Sequence, residues 1–516
     1  VGLPISDLPQ EDTAQLSDEQ AYSIIRTVVT EMESSNTEMD ESRDYYNGEQ
    51  ELKYSTTEFK RAFGTLFDDF KANWCDVAIT ATQNRLEMDR IVFRDGELGE
   101  IDDDSTSAVW NVLRDNDIDE LENDLYSSAM IESRAAVIVW PGGENDDQDV
   151  LLTVERGQVI FISYYDDNPR RPQFAVKKWR TSLGEVFVTL YTEPFVYKYK
   201  VPQQFVEFSS DIFDKSTFDT SGWEKRTISG EEWPLPNPFA RIPIVEFRAR
   251  KNRSELKNII PIQDAINKTI INMMVAGEYA SHTQTYIISS NEEPTGGWKK
   301  RPGGVWQIQP EVDLDGKALP TAVGSLPSED PSNFIQIIEH FLAEFSNLSS
   351  TPGYYIFNSN SQSGRGDAPS GDSLKVSETT LIKKVENYQQ RFDRRWIMVA
   401  ELILEALGKR KVPEYAEVNW TNPQKHFMGM ILEEGRKMID ELGLPHEYAW
   451  AHIGLSEAQI RDAKREMEKR QEDELKREQA MKAASQPDPK AGGSADSSTT
   501  RSTEDQMKNG STPNNT

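Results

Sequence analysis

The sequence predicts an α+β protein, and three features predict it. Helical periodicity dominates both ends of the chain, a central block from about Ala135 changes to a period of two, and a short β-rich interval lies between two amphipathic helices. With 516 residues, 37% of them apolar, the chain has room for two to four domains and for some extended segments besides.

The elements follow in order. Residues up to about Ser17 form a loose acidic lead, and helical periodicity runs from Asp18 to a stop at Gly48. A second amphipathic region carries Phe63, Leu66, Phe67, Phe70, Trp74, Val77 and Ala81 on one stripe. Its Cys75 is the only cysteine, so no intrachain disulfide forms and a packing role is expected. The runs AAVIVWPGG, VLLTVERGQVIFISYYDD, QFAVKKWRT and EVFVTLYTEPFVYKYKV then read as antiparallel strands, ending near IPIVEFRAR. Ile262, Ile266, Ile270, Met273, Gly277 and Ala280 mark one face of a long helix, and a small β module cut by Gly-Gly turns follows it. The next helix starts with Asp330 as N-cap and Pro331 at its first position, with a stripe of Phe334, Ile338, Phe341, Phe345 and Leu348. After a Gly-, Ser- and Pro-rich stretch comes the longest helical signal, about Ser373 to Leu407. Its stripe is Leu381, Val385, Tyr388, Phe392, Trp396, Val399, Ile403 and Leu407. Beyond Gly408 the chain reads as helical again, with a Ser456/Gln459 capping box opening a nearly all-charged helix. From Ser485 onward the composition is that of a disordered tail.

The chemistry is defined largely by exclusion. With 87 acidic and 57 basic residues, the net charge of −30 argues against a broad basic grip on nucleic acid, though not against letting it slide past. No apolar run approaches the roughly 18 residues of a membrane span, and the start has neither the basic leader nor the apolar core of a secretory signal, so a soluble chain is expected. His282, His340, His426, His446 and His452 never fall into a paired metal spacing, and neither a phosphate loop nor a GxSxG elbow occurs. The acidic runs Asp102–Asp104 and 144–149 suit hard divalent cations, yet they lack the EF-hand order and read better as solvated surface turns. The tripeptide Arg365-Gly366-Asp367 is expected by chance in about one chain in ten of this length.

Three stretches in order carry a family resemblance: YYNGEQELKYSTTEFKRAFGTLFDDFKANWCDVAITATQNRLEM, IPIVEFRARKNRSELKNIIPIQDAINKTIINMMVAGEYAS and SGDSLKVSETTLIKKVENYQQRFDRRW. The chain resembles the portal proteins of tailed bacteriophages, of the type found in long-tailed phages of actinobacteria, from about Tyr45 to Ala483. The resemblance implies a portal fold that forms a ring, usually a dodecamer, at one capsid vertex, with double-stranded DNA passing through its channel during packaging and ejection. It implies a flexible lead at 1–21, an α/β wing at 22–250, stem helices at 251–282 and 332–348, and a small α/β clip at 283–331. It further implies a tunnel loop at 349–372, a long tunnel helix at 373–407, a helical crown at 408–484 and a disordered tail at 485–516.

Implied partners are further copies of the chain, DNA, the terminase large subunit, the major capsid and scaffolding proteins and a head–tail adaptor. No enzymatic activity, cofactor or membrane is implied. The location is the virion, with the host cytoplasm during assembly. Tyr354, Tyr355, Ile356 and Phe357 of the tunnel loop either pack against a neighbour's loop or line the bore, and Arg365 is a candidate phosphate contact. On the clip, Trp298, Lys299, Lys300 and Arg301 meet DNA at the entrance or an acidic motor or adaptor surface, or else form a solvated turn. A dozen copies at −30 each carry formally about −360, and an acidic wall repels phosphate and lowers friction. Two other readings stay open: a different virion connector ring, and a metal-dependent nuclease built on the acidic runs.

Overall fold

The computed structural model describes residues 15–51, 53, 71–96, 99–143, 148–201, 222–227, 232–239, 241–281, 285–288, 315, 322–325, 332–356, 371–409, 415–424, 428–455 and 457–484. The chain divides into two compact units, Val1–Phe427 and Met428–Thr516.

The first unit opens with α1 (Asp18–Asn47), capped by a Ser17/Gln20 capping box and ended by Gly48 in the left-handed region at φ 74°. Order begins ahead of residue 22: the Leu16 amide donates to the Tyr197 hydroxyl at 2.7 Å, and Ala21 is buried. One face of α1, carrying Ile24, Ile25, Val28, Val29 and Met32, packs on an antiparallel sheet. That sheet runs β4 (Ile160–Tyr164), β5 (Pro172–Arg180), β6 (Val186–Tyr191), β7 (Phe195–Val201) and β8 (Glu224–Lys225), with β9 (Leu235–Pro236) also on β7. Alternation decides the face: Val186, Val188 and Leu190 of β6 all point into this core.

A larger core surrounds α8 (Gly371–Ala406). Around it lie α2 (Trp74–Gln83), α3 (Asp103–Asp115), α4 (Ile118–Ile131) and a three-stranded sheet, in the order β10 (Ile244–Arg248), β2 (Arg134–Pro141), β3 (Val150–Arg156). The α8 residues Leu381, Val385, Tyr388, Phe392, Trp396, Val399 and Ile403 are all buried, and Leu407 just beyond the helix packs on the same core. Trp396 donates its indole N–H to the Tyr126 hydroxyl at 2.8 Å, and Phe247 packs edge-on against both Phe392 and Trp396. Cys75 is buried among these residues as a free thiol.

Two readings of the sequence change here. Asp102–Asp104 do not form a surface turn: Asp102 caps α3 by accepting from the Ser105 amide at 3.1 Å, and Asp103 and Asp104 occupy the first helical turn, where acidic groups suit the helix dipole. The region after Gly408 is not helical at its start. Residues Tyr415–Trp420 form β13, paired antiparallel with β1 (Met88–Arg94) from the other end of the unit.

From the body, α5 (Ile260–Ser281) leads out to the paired strands β11 (Thr285–Ile288) and β12 (Ala322–Ser325), and α6 (Ser332–Ser349) returns against α5. On α5, Ile266 is buried, whereas Ile262, Ile270 and Met273 are half-buried; the buried face also includes Gln263, Asp264 and Asn267. These polar groups hold main chain. The Gln263 side chain accepts from the Trp74 amide and donates to the Ala72 carbonyl, Asn267 accepts from the Ala72 amide, and Asp264 accepts from the Tyr45 hydroxyl.

The second unit contains α9 (Met428–Asp440), α10 (His446–Ile453) and α11 (Glu457–Ala484). Among its described residues only Ile431, Gly435 and Ala449 are buried. α11 carries the i,i+4 ion pairs Glu466–Arg470 and Glu472–Lys476 on an exposed surface.

Candidate functional site

The site is the short strap that leads from α6 toward α8. α6 ends because Ser350 adopts φ 60° and Pro352 cannot continue the helix. The Thr351 amide donates to the Ser346 carbonyl at 3.1 Å and the Ser346 hydroxyl to the Thr351 carbonyl at 2.6 Å, which closes the turn. A single helical turn follows, α7 (Gly353–Ile356).

One ion pair holds α7. Arg85, just beyond α2, and Glu378, on α8, are 8% and 4% exposed, and they meet in a bidentate pair at 2.9 and 2.8 Å. The same guanidinium donates to the Tyr355 hydroxyl at 2.9 Å and to the Pro423 carbonyl at 3.1 Å, while the Tyr354 hydroxyl donates to Glu378. Burial opposes the charge on Arg85, but its hydrogen bonds to Glu378 and Tyr355 outweigh burial and hold its pKa above the ordinary value. The Tyr354 and Tyr355 rings stack obliquely at 4.8 Å and stay partly exposed, with their hydroxyls turned inward.

A second cluster holds the end of α6. Lys384 of α8 is buried; its ammonium donates to the Ser349 carbonyl at 3.1 Å, at the helix C-terminus where a cation is favoured, and pairs with Glu255 at 3.3 Å. Glu255 also accepts from Arg250 at 2.9 and 2.8 Å and from the Tyr388 hydroxyl at 2.7 Å. Burial works against the Glu255 carboxylate, yet the Arg250 hydrogen bonds and the Lys384 charge override it and hold its pKa down at about 2.

Of the residues singled out from sequence, Tyr354 and Tyr355 lie in this strap with their hydroxyls bonded to the subunit's own ion pair, and Ile356 is buried in the main core. Phe357, Arg365, Trp298, Lys299, Lys300 and Arg301 lie outside the described residues, as does the Arg365-Gly366-Asp367 tripeptide. The sequence reading missed Arg85, Arg250, Glu255, Glu378 and Lys384. For two of them the signal was present: Glu378 stands three residues before Leu381, and Lys384 four before Tyr388, so both lie on the buried stripe of α8. A charge at such a position implies a buried partner.

Among the described residues no group of three or more His, Cys, Asp or Glu side chains is placed to hold a metal ion, and no helix is long and apolar enough to cross a membrane. The strap is thus fastened to a packed core through buried ion pairs that hold chain segments in place. A family model described as "Phage portal protein, SPP1 Gp6-like" matches residues 26–477, and the chain belongs to that family. It is therefore a phage portal protein, with the connector role of that family.

A search of the curated proteins finds no match. Two solved structures are similar at 11% identity. One, "Virion of native gene transfer agent (GTA) particle", has a TM-score of 0.40 and covers 74% of this chain and 89% of its own. The other, "Neck of empty GTA particle computed with C6 symmetry", has a TM-score of 0.41 and covers 78% and 95%. The family assignment rests on the family model alone.

Proposed function

We propose that copies of this portal protein assemble into a ring, a dodecamer in the usual case, whose channel passes double-stranded DNA during packaging and ejection. The observation that carries the ring is the surface of α6. Ile335, Ile337 and Leu348 are 49%, 45% and 53% exposed. At 3.6 residues per turn, Ile337 and Leu348 share one side of the helix and Ile335 lies about 160° away, with the buried Leu342, Phe345 and Ser349 stripe between them. α6 thus shows apolar surface on both flanks of the stripe that meets its own subunit. Head-to-tail contact in a closed ring requires a neighbour on each side.

In this reading α5 and α6 are the stem, 283–331 the clip that docks the terminase and later an adaptor, and the residues after Gly408 contribute to the crown. Capsid and scaffolding proteins surround the ring, and assembly takes place in the host cytoplasm. The strap and the segment after it form the collar around DNA. Ile356 is part of the core, so the informative deletion spares it: removal of 358–369 is expected to leave ring formation intact and to reduce packaged DNA in infected cells. Normal packaging with that deletion would overturn the collar assignment.

A further inference from the structure

Glu378 and Lys384 are opposite charges on one helix, six residues and about 9 Å apart along its axis, and both are buried. Each grips one end of the same strap. Glu378 takes α7 through Tyr354 and, by way of Arg85, through Tyr355; Lys384 takes the last carbonyl of α6. Arg85 adds a third connection, to Pro423 in the segment that follows β13, and β13 is paired with β1.

Buried ion pairs rarely add much stability over an apolar pair of the same volume, because desolvation offsets the attraction; their best-attested use is to specify register. The sequence of α8 fits that use. A slide of one turn in either direction would bring Leu374 or Ile382 to the place of Glu378, and Thr380 or Tyr388 to the place of Lys384. None of these carries a charge, so Arg85 and Glu255 would each lose a partner inside the protein. A four-residue slide thus breaks both contacts, and the strap is held in the observed register.

We propose that Arg85 and Lys384 are positioning residues of the portal: they lock the register of α8 and fasten the two ends of the Ser349–Ile356 strap to the body, Arg85 beside β13 at Pro423 and Lys384 at Glu255 between β10 and α5. Tyr354 and Tyr355 then act as anchors of the strap through their hydroxyls. A pull on the chain beyond Ile356 passes through Glu378 and Arg85 into the body without displacing α6. That mechanical consequence rests on the collar reading above, whereas the lock does not.

Amide hydrogen exchange on the full-length protein tests the lock without DNA. The variants are Glu378→Gln, Lys384→Met and the milder double change Tyr354→Phe with Tyr355→Phe. Exchange in 349–356 and in the first turns of α8 is expected to rise by about tenfold or more in the single variants and by less in the double one, with β5–β7 amides unchanged. Arg85→Lys, which keeps the charge and loses the bidentate contact, is expected to fall between wild type and Glu378→Gln. Unchanged exchange in the strap, or an equal rise in β5–β7, would overturn the proposal. The 358–369 deletion fails or succeeds independently, because it reads packaged DNA and not strap protection.

Discussion

α8 and α6 both announce themselves in the sequence as amphipathic helices, but the structure treats them differently. The stripe of α8 from Leu381 to Ile403 is buried by the subunit's own sheet, helices and β13. α6 buries Leu342 and Phe345 and leaves Ile335, Ile337 and Leu348 open. The longer helix is covered by its own subunit, and it is the shorter one that leaves apolar side chains open. Length and amphipathicity mark a helix that needs a partner, and only the fold shows whether that partner is the same chain. α8 is therefore scaffold, and α6 is where the proposed ring places a neighbouring copy.

Five substitutions or titrations sharpen this contrast. The largest effect is expected at Trp396→Ala, which removes a buried indole and its bond to Tyr126; urea denaturation should show a loss of about 3–5 kcal/mol. Next come two carboxylates, Glu255 and Glu122, that respond to pH in opposite senses. Glu255 titrates at about 2 in the folded chain against an ordinary 4.5. Its contribution is complete above about pH 4.5 and is lost as pH falls toward 2, on the order of 3 kcal/mol, and Glu255→Gln should flatten that acid limb of a melting-temperature profile. Burial pushes Glu122 up to about 8, so its neutral form suits the folded state. Its contribution is complete below about pH 4.5 and declines as pH rises through 8, and Glu122→Gln should flatten the slope between those values.

Smaller still is the expected effect of Ile335→Ser, Ile337→Ser and Leu348→Ser on the isolated subunit, each about 0.5 kcal/mol or less because the side chains are exposed. Together they should nonetheless abolish assembly in sedimentation, which no α8 surface change of the same size should do. The smallest effect belongs to Leu475→Ala on α11, an exposed position in a helix supported by its own ion pairs, with no change in unfolding beyond about 0.5 kcal/mol.

How much of this was legible in the sequence follows from the range of each interaction. Local periodicity was enough for α1, for the strands from β2 to β7, for β10 and for the α8 stripe, because one face of each is buried and repeats every 3.6 or 2 residues. β13 was not legible, since YAEVNW becomes a strand by pairing with MDRIVFR more than 300 residues earlier. Asp102–Asp104 read as a turn because a capping aspartate and a loop aspartate look alike until the following helix is recognised. Gln263, Asp264 and Asn267 were hidden for another reason: polar residues on a stem helix suggest solvent, whereas here they satisfy the main chain of 72–74 and the Tyr45 hydroxyl. In the strap, Tyr354 and Tyr355 were noticed for their aromatic rings, and it is their hydroxyls that the structure uses.

The central claim is that the open flanks of α6 are covered by further copies of the chain. Negative-stain imaging of the purified protein, with particle mass measured on the same sample, tests it most directly. Rings with a central hole and a mass of about a dozen subunits are predicted for the wild type, and single subunits for the combined Ile335→Ser, Ile337→Ser, Leu348→Ser variant. A wild-type protein that remains a single subunit at every concentration, or a triple variant that forms the same rings, would contradict the account.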